Sequence, residues 1–125
     1  MLSLGASNDK ILLNQLHNAI FGCDIVGDVG YLLYIGDEAI GVAKLKVTPD
    51  EMHILEVGIL ENYRGKGYGD FFTRSLMNIF IDVTDYIFSD YVDDYFLKFG
   101  FVQKDDVMVV ESDKLTFPRK CQCGC

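Results

Sequence analysis

The residues best suited to chemistry run from Glu61 to Asp70 and read Glu-Asn-Tyr-Arg-Gly-Lys-Gly-Tyr-Gly-Asp. Gly65, Gly67 and Gly69 alternate, and three missing Cβ atoms let an anion approach the backbone closely. Tyr68, Phe72, Leu76, Ile79 and Phe80 follow at helical spacing, so a helix opens on the glycines. Its first turn leaves N–H groups unpaired, and the helix dipole adds positive potential there. Arg64 and Lys66 bring full charges beside those amides. The chemistry this implies is phosphate binding at a helix N-terminus.

Two rival phosphate sites fit the spacing poorly. A Walker loop needs Gly-Lys followed by Ser or Thr to hold a metal, and here Gly67 follows Lys66. A dinucleotide fingerprint needs a glycine three residues after the second one, where this chain has Asp70. A glycine-rich turn that binds nothing is the plain alternative.

The elements that must position this loop are legible on both sides. Met52 to Leu60 is apolar and rich in Ile and Val, the pattern of a buried strand, and a helix is expected from Gly67 to Ile81. Upstream, Met1 to Leu4 reads as a short strand. Ser7 or Asn8 should cap a helix with Leu12, Leu16, Ala19 and Ile20 on its apolar face, ending at Phe21 and Gly22. Gly30 to Ile35 and Ala39 to Val47 form a hairpin about Gly36-Asp37-Glu38, although Ile40, Val42, Lys44 and Lys46 do not sort by parity. Thr48-Pro49-Asp50-Glu51 turns the chain into the third strand of this meander.

Downstream, Asp85 to Ser89 reads as a strand and Asp90 to Phe99 as a short amphipathic helix, with Asp94 and Lys98 as an i,i+4 pair. Gly100 ends that helix, and Phe101–Lys104 and Val107–Glu111 complete the strands. The expected fold class is mixed α/β (α+β): helices flanking one central sheet.

With 125 residues the chain makes one domain with its own core. Its formal net charge of −8 argues against nucleic acid, whose binders carry basic faces, and favours a cationic partner. No apolar run reaches membrane-spanning length. Met1 to Asp9 has neither a basic n-region nor an apolar h-region, so a cytoplasmic protein with reduced thiols is the expectation. Cys121, Cys123 and Cys125 alternate at the end of the chain, a spacing foreign to common zinc sites, so no metal is expected. The domain is assigned to residues 1–117 and a Cys-rich tail to 118–125.

Two pieces together resemble the GNAT superfamily of acyl-CoA N-acyltransferases. Arg64-Gly65-Lys66-Gly67-Tyr68-Gly69 is similar to that family's Arg/Gln-x-x-Gly-x-Gly/Ala loop, placed between a strand and a helix. Tyr95-Phe96-Leu97-Lys98-Phe99-Gly100-Phe101 is similar to the aromatic pair and Gly-Phe step that lead into a late strand. The resemblance spans nearly the whole chain in element order. It implies a mostly antiparallel sheet whose strands splay at the site of acetyl-CoA, the co-substrate.

By resemblance, Arg64, Gly65, Lys66, Gly67, Tyr68, Gly69 and Asp70 would hold the CoA pyrophosphate, chiefly through backbone amides. The main chain of Val57 and Ile59 would bond the pantetheine arm, with Gly58 permitting close approach, and the Ile59 N–H could polarise the thioester carbonyl. The acceptor would be a primary amine attacking directly. His53 sits where several members place a base, and Glu56 matches an acidic residue nearer the loop that acts through water. Independently, a carboxylate in an apolar strand calls for a partner or a purpose.

The family's general acid is a Tyr four residues before the helix-ending glycine. That place is Phe96 here, with the hydroxyl one position earlier on Tyr95. Tyr95, Tyr91 or water could then protonate the thiolate. Alternatively, the protein is a CoA-binding module with weak or no catalysis and a regulatory or association role. The short region between Leu4 and Gly30 implies an open acceptor site, or one completed by a second subunit as a homodimer.

Overall fold

A computed structural model of the protein describes residues 1–26 and 30–118. The terminal cysteines, and all but one residue of the assigned tail, therefore lie outside the described residues. The elements are β1 (Leu2–Ser7), α1 (Lys10–Phe21), β2 (Gly30–Ile35), β3 (Glu38–Val47), β4 (Glu51–Ile59), α2 (Tyr68–Phe80), β5 (Tyr86–Ser89), β6 (Val102–Lys104) and β7 (Val107–Glu111). The strands form a seven-stranded sheet in the order β1-β2-β3-β4-β5-β7-β6. Only β4 and β5 run parallel. No described helix is long and apolar enough to cross a membrane.

Each helix buries one stripe. On α1 the buried residues are Leu13, Leu16 and His17, which meet Ile25, Leu32 and Val42. Of the expected face, Leu16 is buried and Leu12 and Ile20 pack against the same cluster, but Ala19 is exposed and His17 takes an inward place. Asp9, rather than Ser7 or Asn8, caps α1 by accepting from the Leu12 N–H at 3.2 Å. Gly22 ends the helix at φ +80°. The inward face of α2 consists of Phe72, Thr73, Leu76, Met77 and Phe80, whereas Ile79 stays outside. Phe72, Leu76 and Met77 are fully buried against the opposite side of the sheet.

The irregular parity of β3 has a structural cause. Leu33 pairs with Gly41 but Tyr34 pairs with Ala39, so Ile40 is an extra residue in the ladder. Ile40 and Ala43 therefore both reach the α2 side, and Val42 reaches the α1 side. A second bulge lies in β4, where Lys44 faces Glu56 and Leu45 faces Ile54, leaving Leu55 over. It keeps Ile54 and Ile59 in the clusters on the α2 side while placing Glu56 and Gly58 toward α1.

The pairing of β4 with β5 is short. It runs from Glu51–Tyr86 to Ile54–Ser89 and closes with Asp90 N–H donating to the Ile54 carbonyl at 3.0 Å. The chain then turns away, with the Ser89 hydroxyl donating to the Tyr91 carbonyl at 2.6 Å. Meanwhile β4 continues to Ile59, paired among the described residues with β3 alone.

His53 braces the paired half on the face away from α2. Its Nδ1 is 2.7 Å from Asp90 Oδ1, its Nε2 is 2.9 Å from Glu51 Oε1, and its ring stacks on Phe88 at 4.4 Å. Burial alone would lower its pKa, but the hydrogen bonds to Glu51 and Asp90 outweigh that and raise it above the ordinary 6.5. A raised folded-state value means the stabilisation is complete below the unfolded pKa and disappears as pH climbs through the folded one. Urea midpoints should therefore fall more steeply in the wild type than in His53→Gln as pH rises above the ordinary 6.5. Equal slopes would rule out this brace.

Candidate active site

Where β5 departs, a groove of about 480 Å³ opens between β4, the start of α2 and the segment after β5. Its floor is Val57, Gly58 and Ile59. The Leu60 N–H donates to the Ile40 carbonyl at 2.8 Å, so Leu60 and, by alternation, Gly58 point their polar groups at β3. Val57 and Ile59 then direct theirs to the open edge. At that edge the Ile59 carbonyl accepts from Arg64 Nε at 2.9 Å, which ties the glycine loop to the strand end.

The loop has the backbone its glycines permit. Gly65 and Gly67 sit at φ +80° and +82°, a region that L side chains rarely adopt. Gly67 is the N-cap of α2, and no side chain among the described residues caps this helix. The first-turn amides of α2 thus lack the side-chain acceptor that usually fills this place, which suits an anion. The Arg64 guanidinium is bonded to the strand end through Nε, and Lys66 lies over the Tyr63 ring at 5.8 Å, so both charges flank the loop. Tyr68 packs on the cluster beneath α2.

Asp70, in the same first turn, does not present a free negative charge to an anion. Arg74 Nε meets its two carboxylate oxygens at 3.0 and 2.9 Å, and Lys98 Nζ lies 3.9 Å away. The Tyr95 hydroxyl donates to Asp70 Oδ1 at 2.5 Å. Burial pushes the carboxyl upward, but Tyr95 and Arg74 overcome it, and Asp70 stays below the usual carboxylate range. Tyr95 is shifted the other way, far above 10, by burial and by the adjacent Asp70. Its proton is held.

The segment after β5 differs from the expected helix. Asp94–Phe99 is a 3₁₀ helix capped by Asp93, whose Oδ1 accepts from the Tyr95 N–H at 2.9 Å. In a 3₁₀ helix residues three apart, rather than four, lie in line. Lys98 therefore does not pair with Asp94; its ammonium sits over the Tyr95 ring at 4.4 Å and near Asp70. Phe96 is fully buried among Phe99 and Phe101, so the place where the family resemblance put an acid lies in the core. Tyr91 and Tyr95 both line the groove. The Tyr91 hydroxyl has no hydrogen-bond partner among the described residues, and burial, with Asp93 adding, holds its pKa above 10.

Neither of the two expected bases lines this groove. His53 is fixed in its brace, four residues before Val57, with both ring nitrogens facing carboxylates. Glu56 lies on the α1 side, where its Oε1 is 2.5 Å from His17 Nε2. His17 Nδ1 in turn lies 2.5 Å from the Cys23 carbonyl, and the imidazole is only 3% exposed. Sequence reasoning supplied Glu56 as a carboxylate needing a partner but missed His17; the available signal was a histidine beside Leu13 and Leu16 on an amphipathic helix. Gly58 has a packing role on this face. A Cβ there would lie 2.5 Å from Ile20 Cγ2 and 2.7 Å from Phe21 Cζ, so the missing side chain makes room for α1.

Among the described residues no group of three His, Cys, Asp or Glu side chains could hold a metal ion. The groove, glycine loop and splayed strands can be set beside known proteins. The sequence pattern of the Acetyltransferase (GNAT) family matches residues 19–101. A search of curated proteins returns no match. Among solved structures, the Escherichia coli ribosomal-protein-S18-alanine N-acetyltransferase superposes with a TM-score of 0.69 at 11% identity, covering 87% of this chain and 91% of that one. Arabidopsis thaliana Naa50, in complex with a bisubstrate analogue CoA-Ac-MVNAL, gives 0.68 at 19% identity, covering 86% and 95%. A GNAT family acetyltransferase from Elizabethkingia anophelis with acetyl-CoA bound gives 0.60 at 11% identity, covering 88% and 97%. At these identities the superpositions speak for the fold. The family pattern, which spans most of the chain and contains both the glycine loop and the open strand edge, places this protein in the GNAT acetyltransferase family.

Proposed function

We propose that this protein is an N-acetyltransferase that passes the acetyl group of acetyl-CoA directly to a primary amine. The observation that carries the reading is the open edge of β4 at Val57–Ile59, which runs into an anion-ready helix start. The pantetheine arm would add to that edge as an extra strand, and the pyrophosphate would sit on the amides of residues 65–70. The Ile59 N–H would bond the thioester carbonyl, where negative charge develops.

In the step itself the amine nitrogen attacks the thioester carbon, the new C–N bond forms, the C–S bond breaks, and the sulfur departs as thiolate. One proton leaves the amine and one reaches the sulfur. Glu56 is the better placed of the two candidate bases, because its Oε2 has no protein partner among the described residues and a water could carry the proton to it. His53 already meets a carboxylate at each nitrogen. Tyr91 is the donor to the thiolate, and Tyr95 serves to anchor Asp70. Acidic groups near the mouth, Asp93 among them, favour a cationic acceptor. The engagement of Tyr95 and burial of Phe96 favour a second reading, a CoA-binding module without efficient turnover.

Calorimetry with acetyl-CoA tests the cradle: Gly67→Asp should weaken binding by about tenfold or more, since it adds both a left-handed side chain and a negative charge at the helix start. Unchanged affinity would remove the site from the glycine loop. Thiol release from acetyl-CoA across amines and peptide N-termini separates the enzyme from the module, which would bind without amine-dependent release. In the enzyme, Tyr91→Phe should lower kcat by about a hundredfold while Tyr95→Phe costs less. The opposite order would reassign the donor.

A further inference from the structure

His17 touches Glu56, the candidate base, but takes no part itself in the acetyl-transfer step. It lies on the last full turns of α1, 3% exposed, between two acceptors on different elements. The Cys23 carbonyl accepts only, so Nδ1 carries a proton and donates it. Nε2 meets Glu56 Oε1 at 2.5 Å, so the ring is held at both nitrogens. It joins the chain just past α1 to β4 directly after the Leu55 bulge.

The same ring contacts Phe21, with centroids 4.7 Å apart. Phe21 and Ile20 lie over Gly58 and form the α1 wall of the groove. Phe21 is itself 39% exposed, so α1 core packing alone secures it poorly. The bulge that turns Glu56 toward α1 supplies the tether that this wall needs.

We propose that His17 is a positioning residue for the thioester end of the groove. By bridging the Cys23 carbonyl and the Glu56 carboxyl it fixes Ile20 and Phe21 over Gly58. It thereby sets the wall against which the pantetheine arm and its acyl group lie. This rests on the CoA reading above. It also separates two functions of β4, since the nucleotide end is held by the glycine loop and does not depend on His17.

The test compares CoA with adenosine 3′,5′-bisphosphate, its nucleotide end alone, by calorimetry on the wild type, His17→Gln and His17→Ala. His17→Ala should weaken CoA about tenfold and leave the bisphosphate within about twofold, because only the longer ligand reaches the wall. His17→Gln, which keeps a donor toward Glu56, should recover most of the loss. Amide exchange in the same proteins should rise about tenfold across residues 18–24 in His17→Ala and stay unchanged in α2. Equal weakening of both ligands, or exchange rising equally in α2, would overturn the proposal by showing only general destabilisation. If neither ligand binds the wild type, the CoA reading fails, and unchanged exchange across residues 18–24 would then dispose of the tether as well.

Discussion

Beyond Ile54, β4 keeps β3 as a neighbour and loses β5, because Ser89 and Asp90 turn the chain away through their bonds to Tyr91 and Ile54. A strand with one unpaired edge inside a sheet is costly unless water or a ligand satisfies it. The rest of the site is arranged around that edge. The Leu55 bulge resets which side chains face each helix, so Val57 and Ile59 can pack on the α2 side while their amides point to the gap. Arg64 fastens the strand end to the glycine loop, and Gly67 starts α2 at the point where the edge finishes. The groove, the cradle and the wall from α1 are three consequences of one interrupted ladder.

Charge is distributed to suit an anion in an acidic protein. A chain of net charge −8 would repel a pyrophosphate at long range, so the proposed site needs a locally inverted field. Arg64 and Lys66 flank the loop, and Arg74 and Lys98 hold Asp70 from the other side. Tyr95 completes that set by donating its hydroxyl proton to Asp70. Family membership and fold are thereby compatible with a rearranged proton path: the core takes Phe96, and a tyrosine from the preceding turn borders the groove instead.

The glycine loop was readable in the sequence because its chemistry is local. Alternate glycines, two cations and a helical repeat lie within twenty residues, and none depends on a distant partner. The order of strands and helices followed for the same reason. The bulges at Ile40 and Leu55 could not be read, since an extra residue breaks the parity on which strand faces are assigned. The inward place of His17 was hidden because its partners, Cys23 and Glu56, are brought to it only by the fold. The segment at Asp94–Phe99 looked helical because periods of 3.0 and 3.6 differ little over six residues, yet that difference moved Lys98 from Asp94 to Asp70.

The central claim is that the open edge of β4 and the start of α2 form one continuous site for acetyl-CoA. Backbone amide NMR during titration with CoA tests it most directly. The account predicts that the largest shifts, and new protection from exchange, fall together on Val57, Ile59 and residues 65–70, with β1 and β6 unmoved. Saturating shifts elsewhere in the molecule, or shifts at the loop without any at Val57 and Ile59, would contradict it.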